Sequence, residues 1–190
     1  MSSAFDWSWK LREAIDRVRT RSQHIGRQSG APFLAVIYPP EAETAVFKEW
    51  RTLSGTLGGQ FEIKAIDVLD LTRSVVEDLG AENVVAAMHD PMPGSNPETE
   101  LGHMWIGAVA NRVKELAGEK SAKKVVIVLE RLAALYPVAG PRAVMQHLWD
   151  NEECALDGPV IVLIPGTIKE PRVYSFLNKK TEFMYRGDIL

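Results

Sequence analysis

The residues whose type and spacing could do chemistry are acids that follow apolar runs. Val125–Glu130 reads as several apolar residues and then a carboxylate, the form of a strand ending on a group able to orient Mg²⁺. Asp67 and Asp70 follow a second apolar run, and Tyr38 and Gly166-Thr167 follow two others. In an open parallel sheet these positions sit at the carboxyl ends of strands, where ligands bind. A nucleotide site also needs a phosphate cradle, and no G-x-x-x-x-G-K-[ST] is present. Gly55-Thr-Leu-Gly-Gly59 falls where a helix stops, and Gly94-Ser-Asn-Pro97 lacks the lysine. Tyr38-Pro39-Pro40 removes N–H donors where a dinucleotide fold supplies them.

His89, Asp90, Glu98, Glu100 and His103 crowd into fifteen residues and form the densest metal or acid–base grouping. Their spacing matches no metal signature; Glu100 and His103 make one helical Glu-x-x-His pair where a di-iron bundle needs two. His24 and His147 lie on amphipathic patterns and read as ordinary helix residues. There is no G-x-S-x-G and no C-x-x-C, and Cys154 sits among acids that disfavour its thiolate. The expectation is a protein without catalytic residues, metal or cofactor. The alternative is a nucleotide- or metal-dependent enzyme using Asp67, Asp70 and Glu130.

The elements that must position these groups alternate in kind. From Asp6 as cap, a helix is predicted to about Gln28, with Trp7, Leu11, Ile15 (or Ala14), Val18 and Ile25 at helical spacing. Strands are predicted at Phe33–Tyr38, Phe61–Val68, Lys123–Leu129 and Pro159–Ile164. Helices are predicted at Glu41–Leu57, at Leu71–Ala87 with a break at Gly80, from Pro97 to about Leu116, and from Pro141 to about Asn151. Residues 88–98 form a proline-rich loop. Unalternating Val/Ile strands separated by helices mean a largely parallel sheet covered on both faces. The predicted class is α/β, a three-layer sandwich in one domain over residues 1–190, with antiparallel edge strands at Arg172–Leu177 and Phe183–Tyr185 as a hairpin around Asn178-Lys-Lys.

With 190 residues, 46% hydrophobic and 25% charged, the chain can bury a core without disulfides or metal, which removes the disordered and disulfide-scaffold classes. The net charge of −3 offers no basic field for nucleic acid, so direct DNA binding is not expected. The charge is uneven: the first thirty residues carry +3 and the rest −6. Residues 1–30 therefore read as a basic amphipathic helix, with Arg17, Arg19 and Arg21 available to a protein partner. The opening Met1-Ser-Ser-Ala-Phe-Asp6 lacks a basic then apolar leader, and the longest apolar run, Phe33–Tyr38, is six residues. These point to the cytoplasm and to no membrane association.

The last third is more specific than any of these motifs. Leu135-Tyr-Pro-Val-Ala-Gly-Pro-Arg-Ala-Val-Met-Gln-His-Leu-Trp149 precedes Gly158-Pro-Val-Ile-Val-Leu-Ile-Pro-Gly166, then Tyr174-Ser-Phe-Leu177 and Phe183-Met-Tyr-Arg-Gly-Asp-Ile-Leu190. This order resembles the BrxB family of the BREX phage-defence systems, most closely over residues 123–190. The resemblance implies a non-catalytic component of a complex that methylates host DNA and blocks phage replication. Its partners would be a phosphatase-fold protein (PglZ) first, then a DNA methyltransferase (PglX) and a large ATPase (BrxC); no oligomeric state follows. The family brings no catalytic residues to this chain. Read physically, Pro165-Gly166 makes a sharp turn after a buried strand. Arg142, Glu130 and Arg186 are expected to meet near the carboxyl edge of the sheet, where the arginine forks either pair with the carboxylate as structure or grip an acidic group of a partner, which makes Arg142 and Arg186 partner-binding candidates. Phe183, Met184 and Tyr185 are expected to pack on a sheet edge or in an interface, which adds Tyr185 to the partner-binding candidates.

Overall fold

A computed structural model describes residues 6–190, and the Asp6 side chain, expected as a cap, lies outside what it describes. The fold is α/β, with a mostly parallel sheet between two layers of helices. Helix α1 (Asp6–Arg21) leads into β1 (Phe33–Tyr38). Then follow α2 (Glu43–Gly55), β2 (Phe61–Asp67), α3 (Val68–Leu79), α4 (Ala81–His89) and α5 (Pro97–Gly118). After β3 (Lys124–Glu130) come α6 (Pro141–Asp150), β4 (Val160–Glu170), β5 (Val173–Phe176), β6 (Lys180–Phe183) and β7 (Gly187–Ile189).

The parallel strands run in the order β2-β3-β4-β1-β7. Alternation along them divides the core in two, because successive side chains point to opposite faces. Leu34, Val36 and Tyr38 of β1 face Trp7, Leu11 and Val18 of α1 and Trp50 of α2. Phe33, Ala35 and Ile37 face the side that holds Val109 and Val113 of α5 and Met145 and Leu148 of α6. All six β1 residues are buried, as its unbroken apolar run requires.

Local signals set several boundaries. Gly80 has φ of 81°, so the helical path stops there and resumes as α4. Asn96 caps α5 by accepting the Thr99 N–H, and Pro97 opens the first turn.

Two expectations need correction. The first helix does not reach Gln28; it ends at Arg21 and passes into short 3₁₀ turns at Ser22–His24 and Arg27–Ser29. The cause is Arg27. Its amide donates to the Leu156 carbonyl, and its guanidinium donates to the carbonyls of Leu148, Trp149, Asn151 and Cys154. Those are the orphan acceptors at the end of α6 and the turn after it, and a continuous helix would carry Arg27 away from them.

The second correction is Pro165-Gly166, which is no turn, since β4 runs through it to Glu170. A Cβ on Gly166 would lie 2.2 Å from the Ser175 carbonyl oxygen, so glycine admits β5 against the extended strand. The Leu177 N–H then bonds the Pro165 carbonyl at 2.8 Å.

The expected antiparallel strands at the C-terminus are present: β5 and β6 form a hairpin on this extension of β4. The β1 edge of the parallel sheet is taken by β7, parallel to β1, at residues with no strand-like apolar run. In the tail Met184 is buried and Tyr185 half-buried against the core, while Phe183 is exposed.

Candidate functional site

Strand order places the predicted acids. Because β2 lies beside β3, Asp67 and Glu130 are direct register partners at the carboxyl edge. Each is already engaged. Asp67 Oδ1 accepts the N–H groups of Leu69 and Asp70, capping α3, and its Oδ2 lies 3.4 Å from Arg131 Nη1. Glu130 is buried, with Arg51 Nη2 from α2 at 3.8 Å. Tyr38, two strands away, donates its hydroxyl to Glu43 Oε2 at 2.9 Å. Asp70 does not join them; it pairs with Arg73 on the exposed side of α3. Thr167, on the extension of β4, donates to Asn178 Oδ1 in the hairpin turn.

Burial pushes the Glu130 carboxyl above the usual carboxylate range, opposed by Arg51, with the Asp67 charge raising it further. Burial likewise pushes the Tyr38 phenol up, reinforced by Glu43. A raised carboxyl beside an arginine is the electrostatic setting of a proton-transfer group. The backbone around it supplies no cradle: β1 runs into Pro39 and the 3₁₀ turn Pro40–Ala42. A cavity of about 300 Å³ opens instead at the amino edge of the sheet, lined by Lys124, Val125, Asp157 and Gly158. Its Lys124 is already bonded to the Ser22 carbonyl.

The raised carboxyl has a measurable consequence. A group whose folded pKa exceeds its unfolded value adds stability at low pH and loses it as pH rises through the folded pKa. Glu130→Gln does not titrate there, so its thermal midpoint relative to the parent should climb as pH rises above the ordinary glutamate range of about 4. A gap that stays flat as pH rises would refute the assignment.

Among the described residues no group of three or more His, Cys, Asp and Glu is placed to hold a metal. Glu100 accepts the Asn96 N–H at the start of α5, while His89, Glu98 and His103 stay exposed.

Nor do Arg142, Glu130 and Arg186 meet. Arg142 stands at the start of α6, its guanidinium 5.8 Å from the Phe183 ring centroid. The Arg186 guanidinium lies 4.4 Å from the Trp149 ring centroid, near the other end of a helix about 15 Å long. Glu130 turns to Arg51 on α2. The basic helix is also largely committed: Arg17 bonds Glu13 and Asp188, and Arg19 bonds Asp16 and Thr56. Arg21 is exposed at its end.

Sequence reasoning missed two polar anchors, the half-buried Arg27 and the buried Glu182, and the state of α4. Glu182 shows a weak signal, one acid at an inward position of the strand Lys180–Phe183. Helix α4 reads Ala-Glu-Asn-Val-Val-Ala-Ala-Met-His and buries none of its residues. Exposed apolar side chains gather around it: Val85 is 66% exposed, Met92 76% and Met104 46%. Between α4 and α5 runs a groove of about 190 Å³ lined by Leu79, Val84, Met88, Leu101 and Met104.

No protein-family model matches the chain, and neither does any curated protein.

Proposed function

We propose that this protein is a non-catalytic adaptor that works by binding another protein of a multi-component anti-phage system. One observation carries the reading: α4 is an apolar helix with none of its residues buried, the mark of a surface made to be covered. The strand-end acids point the same way. Asp67 is spent on a helix cap and an arginine, Asp70 on the outer face of α3, and Glu130 on Arg51.

The resemblance of residues 123–190 to the BrxB family supports a BREX-type complex as the assembly. PglZ is then the first partner to test, followed by PglX and BrxC. In such a complex the protein serves phage restriction and host methylation through assembly rather than through a reaction of its own. No described helix is long and apolar enough to cross a membrane, and the cytoplasm is the proposed compartment.

The enzymatic alternative draws on the raised Glu130 carboxyl alone. A turnover of nucleotide that vanishes in Glu130→Gln with the fold intact would establish it. The adaptor reading is tested by pull-down and interferometry of the purified protein against each system component. At least one should bind more tightly than ~10 μM, and binding of none at that level would overturn the reading.

A further inference from the structure

The surface around α4 has a charge pattern that identifies what covers it. From Ser74 to Asn111 the chain contains no lysine or arginine and six acids: Glu77, Asp78, Glu82, Asp90, Glu98 and Glu100. This stretch of −6 lies in a chain whose net charge is only −3. Glu100 lines the groove, while Glu82 in the first turn of α4 and Glu98 in the first turn of α5 are exposed on the same two helices, outside it. Its walls are mostly apolar: Leu79, Val84, Ala87 and Met88 with Asn83 on one side, Leu101 and Met104 on the other. An apolar trough in acidic surroundings is complementary to a helix with an apolar stripe and basic flanks.

We propose that the α4–α5 groove is the docking site for a cationic amphipathic helix of the protein's partner. Such a helix would lay leucine-type side chains between α4 and α5 and set a lysine or arginine against Glu100, with Glu82 and Glu98 adding to the negative field around it. The nine residues of α4 offer a wall about 13 Å long, enough for two to three turns of a bound helix. Methionines suit such a seat, because their unbranched side chains repack around a guest.

Other occupants fit less well. The acidic rim repels nucleic acid and anionic lipid. A second copy would have to supply a basic amphipathic helix, and the chain's own is committed. Leu11, Ala14, Ile15 and Val18 of α1 are buried in the core, and Arg17 and Arg19 hold internal partners.

This proposal rests on the adaptor reading for its biological partner, but its chemistry can be tested apart from it. The probe is a fluorescein-labelled Leu/Lys peptide patterned as an amphipathic helix, with a Leu/Glu peptide of identical apolar spacing as control. Anisotropy should show the Leu/Lys peptide binding at least ~10-fold more tightly than the control, with affinity falling as salt is raised. Val84→Gln with Met104→Gln, both in the groove wall, should weaken it by ~10-fold or more. Glu82→Lys with Glu98→Lys changes only exposed side chains and should weaken it to a similar degree, mainly through slower association. Glu170→Lys, at an exposed site on the extension of β4, should leave binding unchanged.

Equal binding of both peptides, or retention by both groove variants, would overturn the proposal. So would a dimer of the native protein that the groove variants dissolve, since the groove would then belong to a second copy. If the Leu/Lys peptide binds as described while no system component does, the groove stands and the adaptor reading falls. If a component binds the parent and the groove variants alike, the groove proposal falls and the adaptor reading stands.

Discussion

Ending the chain at Arg186 is expected to cost roughly 3–5 kcal/mol and to make the protein aggregate. The cut removes β7, which pairs in parallel with Phe33–Ala35 of β1. It also removes Leu190, whose N–H donates to the Ala35 carbonyl and whose carbonyl accepts the Ile37 N–H, both at 2.9 Å. Burying one leucine is worth about 2 kcal/mol, and each ladder hydrogen bond about 1 kcal/mol. Leu190 is buried in the core layer that holds α1 and α2. The Arg17–Asp188 pair at 3.1 Å adds little, because Asp188 is exposed.

The larger consequence is what the cut uncovers. β1 is buried and apolar at every residue, and without β7 it becomes an open edge strand, a template for pairing with other chains. Fit at this edge is tight: a Cβ on Gly187 would lie 1.9 Å from the Phe33 carbonyl oxygen. Thermal melting and light scattering of the truncated chain test the claim. A monomer with an unchanged midpoint would show that β7 is dispensable.

Glu182→Ala should be the most damaging single substitution at a polar position, lowering stability by about 3 kcal/mol. Helix α6 has no side-chain cap of its own: Gly140 stands at its N-cap and Pro141 has no N–H to offer. The cap comes from the far end of the chain. Glu182 Oε2 accepts the Arg142 N–H at 3.0 Å and the Tyr174 hydroxyl at 2.8 Å, and Oε1 lies 3.3 Å from Lys180 Nζ. The carboxylate also faces the positive end of the helix dipole.

Burial holds the Tyr174 phenol above its ordinary value, with the Glu182 charge next in effect, so the hydroxyl stays a donor. Removing the carboxylate strands that hydroxyl and the amide in the interior. For a chain of this length the midpoint should fall by about 6–12 °C. In the Tyr174→Phe background the same substitution should cost less, because one stranded group has gone. Gly140→Ala should act in the same direction, since its Cβ would lie 2.1 Å from Glu182 Oε1. A loss below about 1 kcal/mol for Glu182→Ala would sink this account.

Much of the layered fold was legible because its signals are local. An unbroken apolar run forced β1 to be buried on both faces, and Gly80, Asn96 and Pro97 wrote helix ends into single residues. The acids at the ends of β2 and β3 were legible for the same reason. Their adjacency was not, because it follows from β2 lying beside β3, and no local pattern encodes strand order.

β7 was equally hidden. Gly-Asp-Ile has no strand signature, and it pairs because Gly187 lets it approach the open side of β1. The roles of Arg27 and Glu182 depend on contacts more than 100 and 30 residues distant, across helix α6. The segment that forms α4 reads only as the second half of a broken helix, and burial belongs to the assembled layers, which leave it uncovered. Sequence alone thus determined the class, the central strand and the chemistry available, since each depends on neighbours within a few residues. Tertiary structure alone decided which charges meet, which caps are filled from afar and which apolar face stays open, since each depends on where distant segments come to rest.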